Sequence, residues 1–193
     1  MKDTNFLQYH DLEGYIFKVV STRYAQNKTL TAFDFFCIVI WKANRAKSKV
    51  AERLLAHGNG QPNLEAAVDS LLTAISEAKD QRARLSVLVE GWGFRLPMAS
   101  AILTVLYPED FTVYDIRVCD VLRDFKDAQY KTKFAALWER YSAYVIAVKG
   151  AVPECSSLRD KDRFLWGTSF ASQLQTDIQS SFGRGDSDAE FEA

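Results

Sequence analysis

Apolar residues recur three or four positions apart along almost the whole chain, and runs that alternate apolar and polar residues are nearly absent. This spacing is typical of amphipathic helices, so it predicts an all-α fold. The expected helices are 11–26, 32–45, 47–57, 63–78, 80–90, 97–106, 116–125, 130–149 and 160–181. Thr31 and Asn63 are expected N-caps, and Gly58, Gly60 and Pro62 interrupt the chain between the third and fourth helices.

With 48% hydrophobic and 13% aromatic residues, the 193-residue chain can bury a substantial core. We expect one globular domain, 1–183, and an acidic, disordered tail, 184–193. The apolar runs are far shorter than the roughly 18 residues that span a bilayer, and the amino terminus lacks a secretory pattern. The sequence therefore predicts a cytoplasmic protein without membrane contact.

Cysteines and histidines are few and scattered. Cys37, Cys119 and Cys155 are widely spaced, two of them within apolar helical patterns, and His10 and His57 lie near expected helix ends. This usage predicts free thiols, no metal site and no cofactor.

The net charge of −1 is unevenly distributed. Residues 42–53, KANRAKSKVAER, hold five bases and one acid, whereas residues 184–193 hold four acids and one base. The globular part is therefore mildly basic. Taken alone, the basic cluster is more typical of a solvated helix face than of a nucleic-acid site.

The segment 85–125 carries the most specific pattern, an apolar helix that ends in Gly91-Trp92-Gly93 and is followed by a second, alanine-rich helix. Two glycines one residue apart allow a tight turn with outward-facing backbone N–H groups, which can bind a phosphate together with the next helix start. A loop then leads to Asp115, directly before another apolar helix, where ordinary N-capping explains an aspartate.

In this order, the hairpin EGWGFRLPMASAIL and the aspartate segment FTVYDIRV resemble the signature of the helix-hairpin-helix DNA glycosylase superfamily. Upstream, DFFCIVIWKANRAKSKVAERL is similar to the helix, turn and helix that this family inserts at the flipped base. The resemblance implies a helical bundle of two lobes with a cleft, a hairpin at about 85–106, and double-stranded DNA with a modified or damaged base as the partner.

The resemblance also implies roles for individual residues. Asp115 would be the catalytic carboxylate, and Asn44 the wedge that enters the duplex. Further DNA contacts would come from Lys42, Arg45, Gly91, Trp92, Gly93 and Arg95, and the base pocket from Trp41, Tyr114 and Trp166. For these three rings, core packing is the main alternative.

Breaking an N-glycosidic bond builds positive charge on the sugar, which a nearby carboxylate stabilises after the base has left the stack. Family members that also cut the strand place a lysine in the hairpin, whereas this hairpin offers Arg95, which cannot form a Schiff base. The hairpin also holds about two residues more than is usual. We expect a monofunctional enzyme, with Lys42 the one nearby amine that could substitute.

Two other classes of function stay open. One is a non-catalytic DNA-binding module that uses the hairpin for phosphates, and the other is a helical interaction protein. The expected state is a nucleoid-associated monomer. Alkylated purines, oxidised guanine, uracil-like lesions and modified phage cytosines all fit as substrates, so repair and defence against foreign DNA are both open.

Overall fold

The computed structural model describes residues 6–58 and 60–182, and these residues form helices and no strands. The predicted all-α fold is confirmed, and the predicted tail at 184–193 lies outside the described residues. None of the described helices is both long and apolar enough to cross a membrane. In chain order the α-helices are α1 (Leu12–Tyr15), α2 (Ser21–Asn27), α3 (Ala32–Ala43), α4 (Lys47–Leu55), α5 (Leu64–Glu77), α6 (Gln81–Ser86), α7 (Leu96–Leu106), α8 (Ile116–Leu122), α9 (Phe134–Ala151) and α10 (Leu158–Gln179).

Two of the expected helices contain a π-helical turn. Ile16–Val20 joins α1 to α2, and Val87–Gly91 continues α6 to the glycine turn. The expected helix 116–125 stops earlier, at Leu122, because Arg123 takes a left-handed backbone conformation with φ of 56°.

Side-chain caps begin several helices as expected. The Thr31 side chain accepts a hydrogen bond from the Asp34 N–H at 3.1 Å, and the Asn63 side chain accepts one from the Ala66 N–H at 2.9 Å. Each cap satisfies a backbone donor that the first helical turn leaves open, which stabilises the helix by about 1 kcal/mol.

The centre of the fold is α7. All its residues except Pro97 are buried, and it packs against α2, α3 and α6. A helix that is apolar all round is buried all round, and Ala99, Ser100 and Ala101 let its neighbours approach closely. One connected cluster of buried apolar side chains extends from Tyr15 to Leu165.

The last helix, α10, packs against α8 and α9. Its buried residues are Leu158, Asp162 and Leu165, all in its first half. This arrangement places the start of α10 beside the start of α8, where Asp115 lies.

Candidate functional site

Asp115 follows a buried, non-helical segment that is held by tyrosine hydroxyls. Tyr141 donates a hydrogen bond to the carbonyl of Thr112 at 2.7 Å, and Tyr144 donates one to the carbonyl of Val113 at 2.8 Å. Burial raises the pKa of both hydroxyls, so they stay protonated donors. The backbone that leads to Asp115 is therefore fixed by α9.

Tyr114 completes this attachment. Its backbone N–H donates to the Ser100 hydroxyl of α7 at 2.8 Å, and its own hydroxyl donates to the Phe125 carbonyl at 2.8 Å. The side chain is 1% exposed. Tyr114, which the sequence assigns to a base pocket, therefore packs in the core, which was the stated alternative for it.

The Asp115 carboxylate has two partners. One oxygen accepts the Arg117 N–H at 3.1 Å, which confirms the expected N-cap, and the other accepts a hydrogen bond from the Lys42 ammonium at 2.9 Å. In this ion pair, the side chain of Asp115 is 24% exposed and that of Lys42 is 16% exposed. Lys42 ends α3, far away in sequence, so tertiary packing brings together the predicted catalytic residue and a predicted DNA contact.

A second carboxylate, Asp162 of α10, lies behind this ion pair. It is 2% exposed and is paired with Arg159, which also contacts Glu13 at 2.5 Å. Burial raises the pKa of Asp162 to about 6; the Arg159 and Lys42 charges oppose this change, and the Asp115 charge adds to it.

The charge of Asp162 also contributes to the raised pKa of Tyr141 and of Tyr144, whose hydroxyls hold the segment before Asp115. Asp162 therefore lies within electrostatic reach of the Lys42–Asp115 pair and of the two tyrosines. Buried carboxylates with a perturbed pKa are enriched at functional sites.

Trp41, a second residue assigned to the base pocket, is covered by Arg159. The Arg159 guanidinium lies 5.0 Å from the Trp41 ring and 4.8 Å from the Phe17 ring, and these two rings meet edge to face at 5.4 Å. The partly buried Trp41 thus supports the Arg159–Asp162 pair.

Trp166, the third such residue, is 42% exposed. It stacks on Phe170 with 5.4 Å between ring centroids and an interplanar angle of 8°, and the Arg117 guanidinium lies 5.6 Å from its ring. Arg117, which contacts this ring, is two residues from Asp115 in sequence. An exposed ring of this kind can stack on a flat ligand.

The glycine turn forms between the π-helical turn and α7, but two of its N–H groups point inward. The Trp92 N–H donates to the Val87 carbonyl at 2.9 Å, and the Phe94 N–H donates to the Leu88 carbonyl at 2.8 Å. This corrects the expectation that the N–H groups of the turn face outward. Gly93 has φ of 66°, a conformation that favours glycine.

The side chains of the turn are divided between core and surface. Trp92 is 5% exposed and stacks on His57 at 3.6 Å, so its ring does not reach the surface as its assignment to DNA contact requires. Arg95 is exposed, and the space beside the Cα of Gly91 is open. Gly91, Gly93 and Arg95 form the accessible part of the turn.

The expected helix, turn and helix around Asn44 is present. Between α3 and α4, Asn44–Ala46 form a single 3₁₀ turn. Asn44 and Arg45 are exposed, and the Lys47 ammonium donates to the Asn44 side-chain oxygen at 2.9 Å. The basic residues of 42–53 therefore begin at the Lys42–Asp115 pair and continue onto an exposed turn.

Asp162, Arg159 and Glu13 were missed at the sequence level. The stretch LRDKDRFLW has the alternating charges of a solvated helix face. One signal was available: Asp162 lies four residues after Leu158 and three before Leu165, so it shares the apolar face of α10.

Two clefts lie away from these residues. One is lined by Arg23, Leu30, Glu65 and Asp69, and the other by Asp120, Arg123, Phe125 and Lys126 among others; neither includes Asp115. Within the described residues, no group of His, Cys, Asp and Glu side chains could hold a metal ion.

Comparisons of the chain with protein-family models, with curated proteins and with solved structures give no match.

Proposed function

We propose that this chain is a DNA glycosylase that removes a modified or damaged base from double-stranded DNA, with Asp115 as its catalytic carboxylate. The observation that carries the proposal is the Lys42–Asp115 ion pair on a rigidly held segment. N-capping alone requires an aspartate but no lysine from a distant helix, and a partly buried ion pair is costly to form.

The chemistry follows from the lone pairs of the carboxylate. A carboxylate can accept about four hydrogen bonds, and Asp115 accepts two, from Lys42 and from the Arg117 N–H. Its remaining lone pairs can face the sugar, stabilise the positive charge that develops at C1′, and orient the attacking water. Because the segment is fixed before the reaction, this stabilisation needs little reorganisation.

Lys42 supports a water-directed, monofunctional reaction. A Schiff base requires a neutral amine with a free lone pair, whereas Lys42 donates to Asp115 as an ammonium. We infer that Lys42 keeps the carboxylate oriented, and that the product is an intact strand with an abasic site.

DNA would bind across the exposed turn that contains Asn44 and the accessible part of the glycine turn, with two lobes of the helical bundle on either side of the duplex. Asn44 would fill the space of the departing base. Trp166, exposed beside Arg117, is the aromatic ring that can stack on the extruded base. The chain would work at the nucleoid, in base-excision repair or in defence against hypermodified foreign DNA.

The decisive experiment compares the wild type with Asp115→Asn. Duplexes that each contain one modified base are incubated with protein, and alkali then reveals abasic sites. The amide can still cap α8 but carries no charge, so base release should be lost while DNA affinity changes by only a few-fold. Asp120→Asn, which removes an exposed carboxylate from the same helix, should retain activity.

A variant Asp115→Asn that keeps most of the excision rate contradicts the assignment. The other two classes also give distinct results. Salt-dependent DNA binding without base release from any duplex indicates a DNA-binding module, in which Asp115 serves only as the cap. Absence of DNA binding at low salt indicates a helical interaction protein.

A further inference from the structure

The second half of α10 carries a row of exposed apolar side chains. Trp166, Phe170, Leu174 and Ile178 are 42%, 45%, 38% and 57% exposed, respectively. They are four residues apart, so they form one continuous ridge along the helix. We call these four residues the α10 ridge. After Leu165 no residue of α10 is buried.

This half of the helix lacks the features that stabilise a helix alone in water. Its sequence, WGTSFASQLQTDIQ, contains a glycine and several serines and threonines, which have low helix propensity. A segment of this length is marginal as an isolated helix, and helices in proteins are stabilised mainly by packing of an apolar face. Packing of the ridge against a partner would therefore stabilise this half of the helix.

We propose that the α10 ridge packs antiparallel against the same ridge of a second copy of this chain. A two-fold axis at residue 172 brings Trp166 of one copy to Ile178 of the other, and Phe170 to Leu174, so each apolar side chain meets an apolar partner. Ridges of side chains four residues apart interdigitate when two helices cross at about −50°, the commonest packing class. This proposal replaces the sequence-based expectation of a monomer. It does not rest on the proposed enzymatic function, and Trp166 is open to an extruded base only in the monomer.

Charge favours a second copy over other occupants. Between Trp166 and Gln179 the only charged residue is Asp177, and the Arg117 guanidinium of α8 lies 5.6 Å from the Trp166 ring and 5.9 Å from the Phe170 ring. A two-fold axis at residue 172 brings Asp177 of one copy opposite Gly167 of the other, beside this guanidinium, so the two charges are complementary.

Two other occupants fit less well. A helix that binds DNA presents lysines or arginines to the phosphates, and a helix that lies on a membrane carries them on its polar face. In the ridge-bearing half of α10, the other positions hold Ser, Thr, Gln, Gly, Ala and one Asp, and no lysine or arginine.

The interface is small. From the exposed fractions, the ridge buries roughly 350 Å² per copy, since large side chains each contribute up to about 150–250 Å². This area is below that of standard stable complexes, so we expect association in the micromolar range.

The test is sedimentation equilibrium of the full chain from about 1 to 100 µM. Wild type should show a concentration-dependent monomer–dimer equilibrium. Ile178→Glu should weaken association by roughly 100-fold or more, because the substitution is present twice in a symmetric dimer. Thr176→Glu adds the same charge on the opposite side of α10 and should leave the equilibrium unchanged; circular dichroism verifies that both variants are folded.

A wild type that stays monomeric at 100 µM, or two variants with equal effects, overturns the proposal. Parallel titrations with duplex DNA and with anionic phospholipid vesicles test the other occupants. Binding of a monomeric wild type to either one, lost in Ile178→Glu and kept in Thr176→Glu, would also overturn it and would assign the ridge to that ligand.

Discussion

Replacing Asp162 by asparagine should change how the stability of the protein depends on pH. Burial raises the pKa of this carboxyl from the ordinary 3.8 to about 6. Between these two values the folded chain holds a proton that the unfolded chain releases, so the contribution of Asp162 to stability is lost as pH rises. Each pH unit corresponds to about 1.4 kcal/mol, so the total is about 3 kcal/mol.

Urea unfolding of wild type and Asp162→Asn, at intervals from pH 4 to pH 7.5, measures this effect. The asparagine keeps the shape and can still accept a hydrogen bond from Arg159, but it has no proton to lose. The unfolding free energy of the variant should therefore gain about 2.4 kcal/mol of this total relative to wild type across the range, because the unfolded carboxyl is already more than half ionised at pH 4. Carboxylates such as Asp124 and Asp127, whose pKa is lowered chiefly by hydrogen bonds from basic side chains, have the opposite pH dependence but are present in both proteins and cancel.

Asp69→Asn, at an exposed position of α5, is the control for loss of a carboxylate. A constant difference between wild type and Asp162→Asn would refute the reasoning, as would a change in the opposite direction. Either result would mean that the Arg159 ion pair outweighs burial and keeps Asp162 ionised down to pH 4.

Three further predictions concern the proposed DNA site. Asn44→Ala should slow base release from a paired duplex more than from single-stranded DNA, where unstacking costs less; equal slowing in single-turnover assays would reject a wedge. A bulky residue at Gly91, where added atoms meet open space, should weaken binding to all duplexes alike in anisotropy titrations, and a loss confined to one lesion would contradict a phosphate contact. Borohydride should trap no protein–DNA adduct; an adduct that Lys42→Ala abolishes would show that this amine is a nucleophile.

The helices and their caps could be predicted from the sequence because both depend on local rules. Apolar periodicity gave the helices, and Thr31, Asn63 and Asp115 each cap a helix as expected. The early end at Leu122 could not be predicted, because a left-handed conformation at Arg123 has no glycine to mark it.

The candidate site could be predicted only in part, because its contacts join residues that lie far apart in the sequence. The Lys42–Asp115 pair joins α3 to the start of α8, and no local pattern encodes such a contact. Asp162 was hidden among charged neighbours on α10. Trp92 was assigned to the surface because of its place in the turn, yet its ring is buried in the core and stacks on His57.

The segment before Asp115 is buried but belongs to no helix, and the described fold contains no strand beside it. Its carbonyls at Thr112 and Val113 are instead satisfied by single hydroxyls from α9. Consequently Tyr141→Phe or Tyr144→Phe, each of which removes one oxygen from the interior, would leave a buried carbonyl without a donor. Changes in length at 107–110 would disturb further contacts, since the Tyr107 hydroxyl bonds to that of Tyr24 and the Asp110 carboxylate accepts a hydrogen bond from Gln81. The position of Asp115 thus depends on the packing of α9 against α6, α8 and α10, so a core substitution in α9 could displace the carboxylate without touching it.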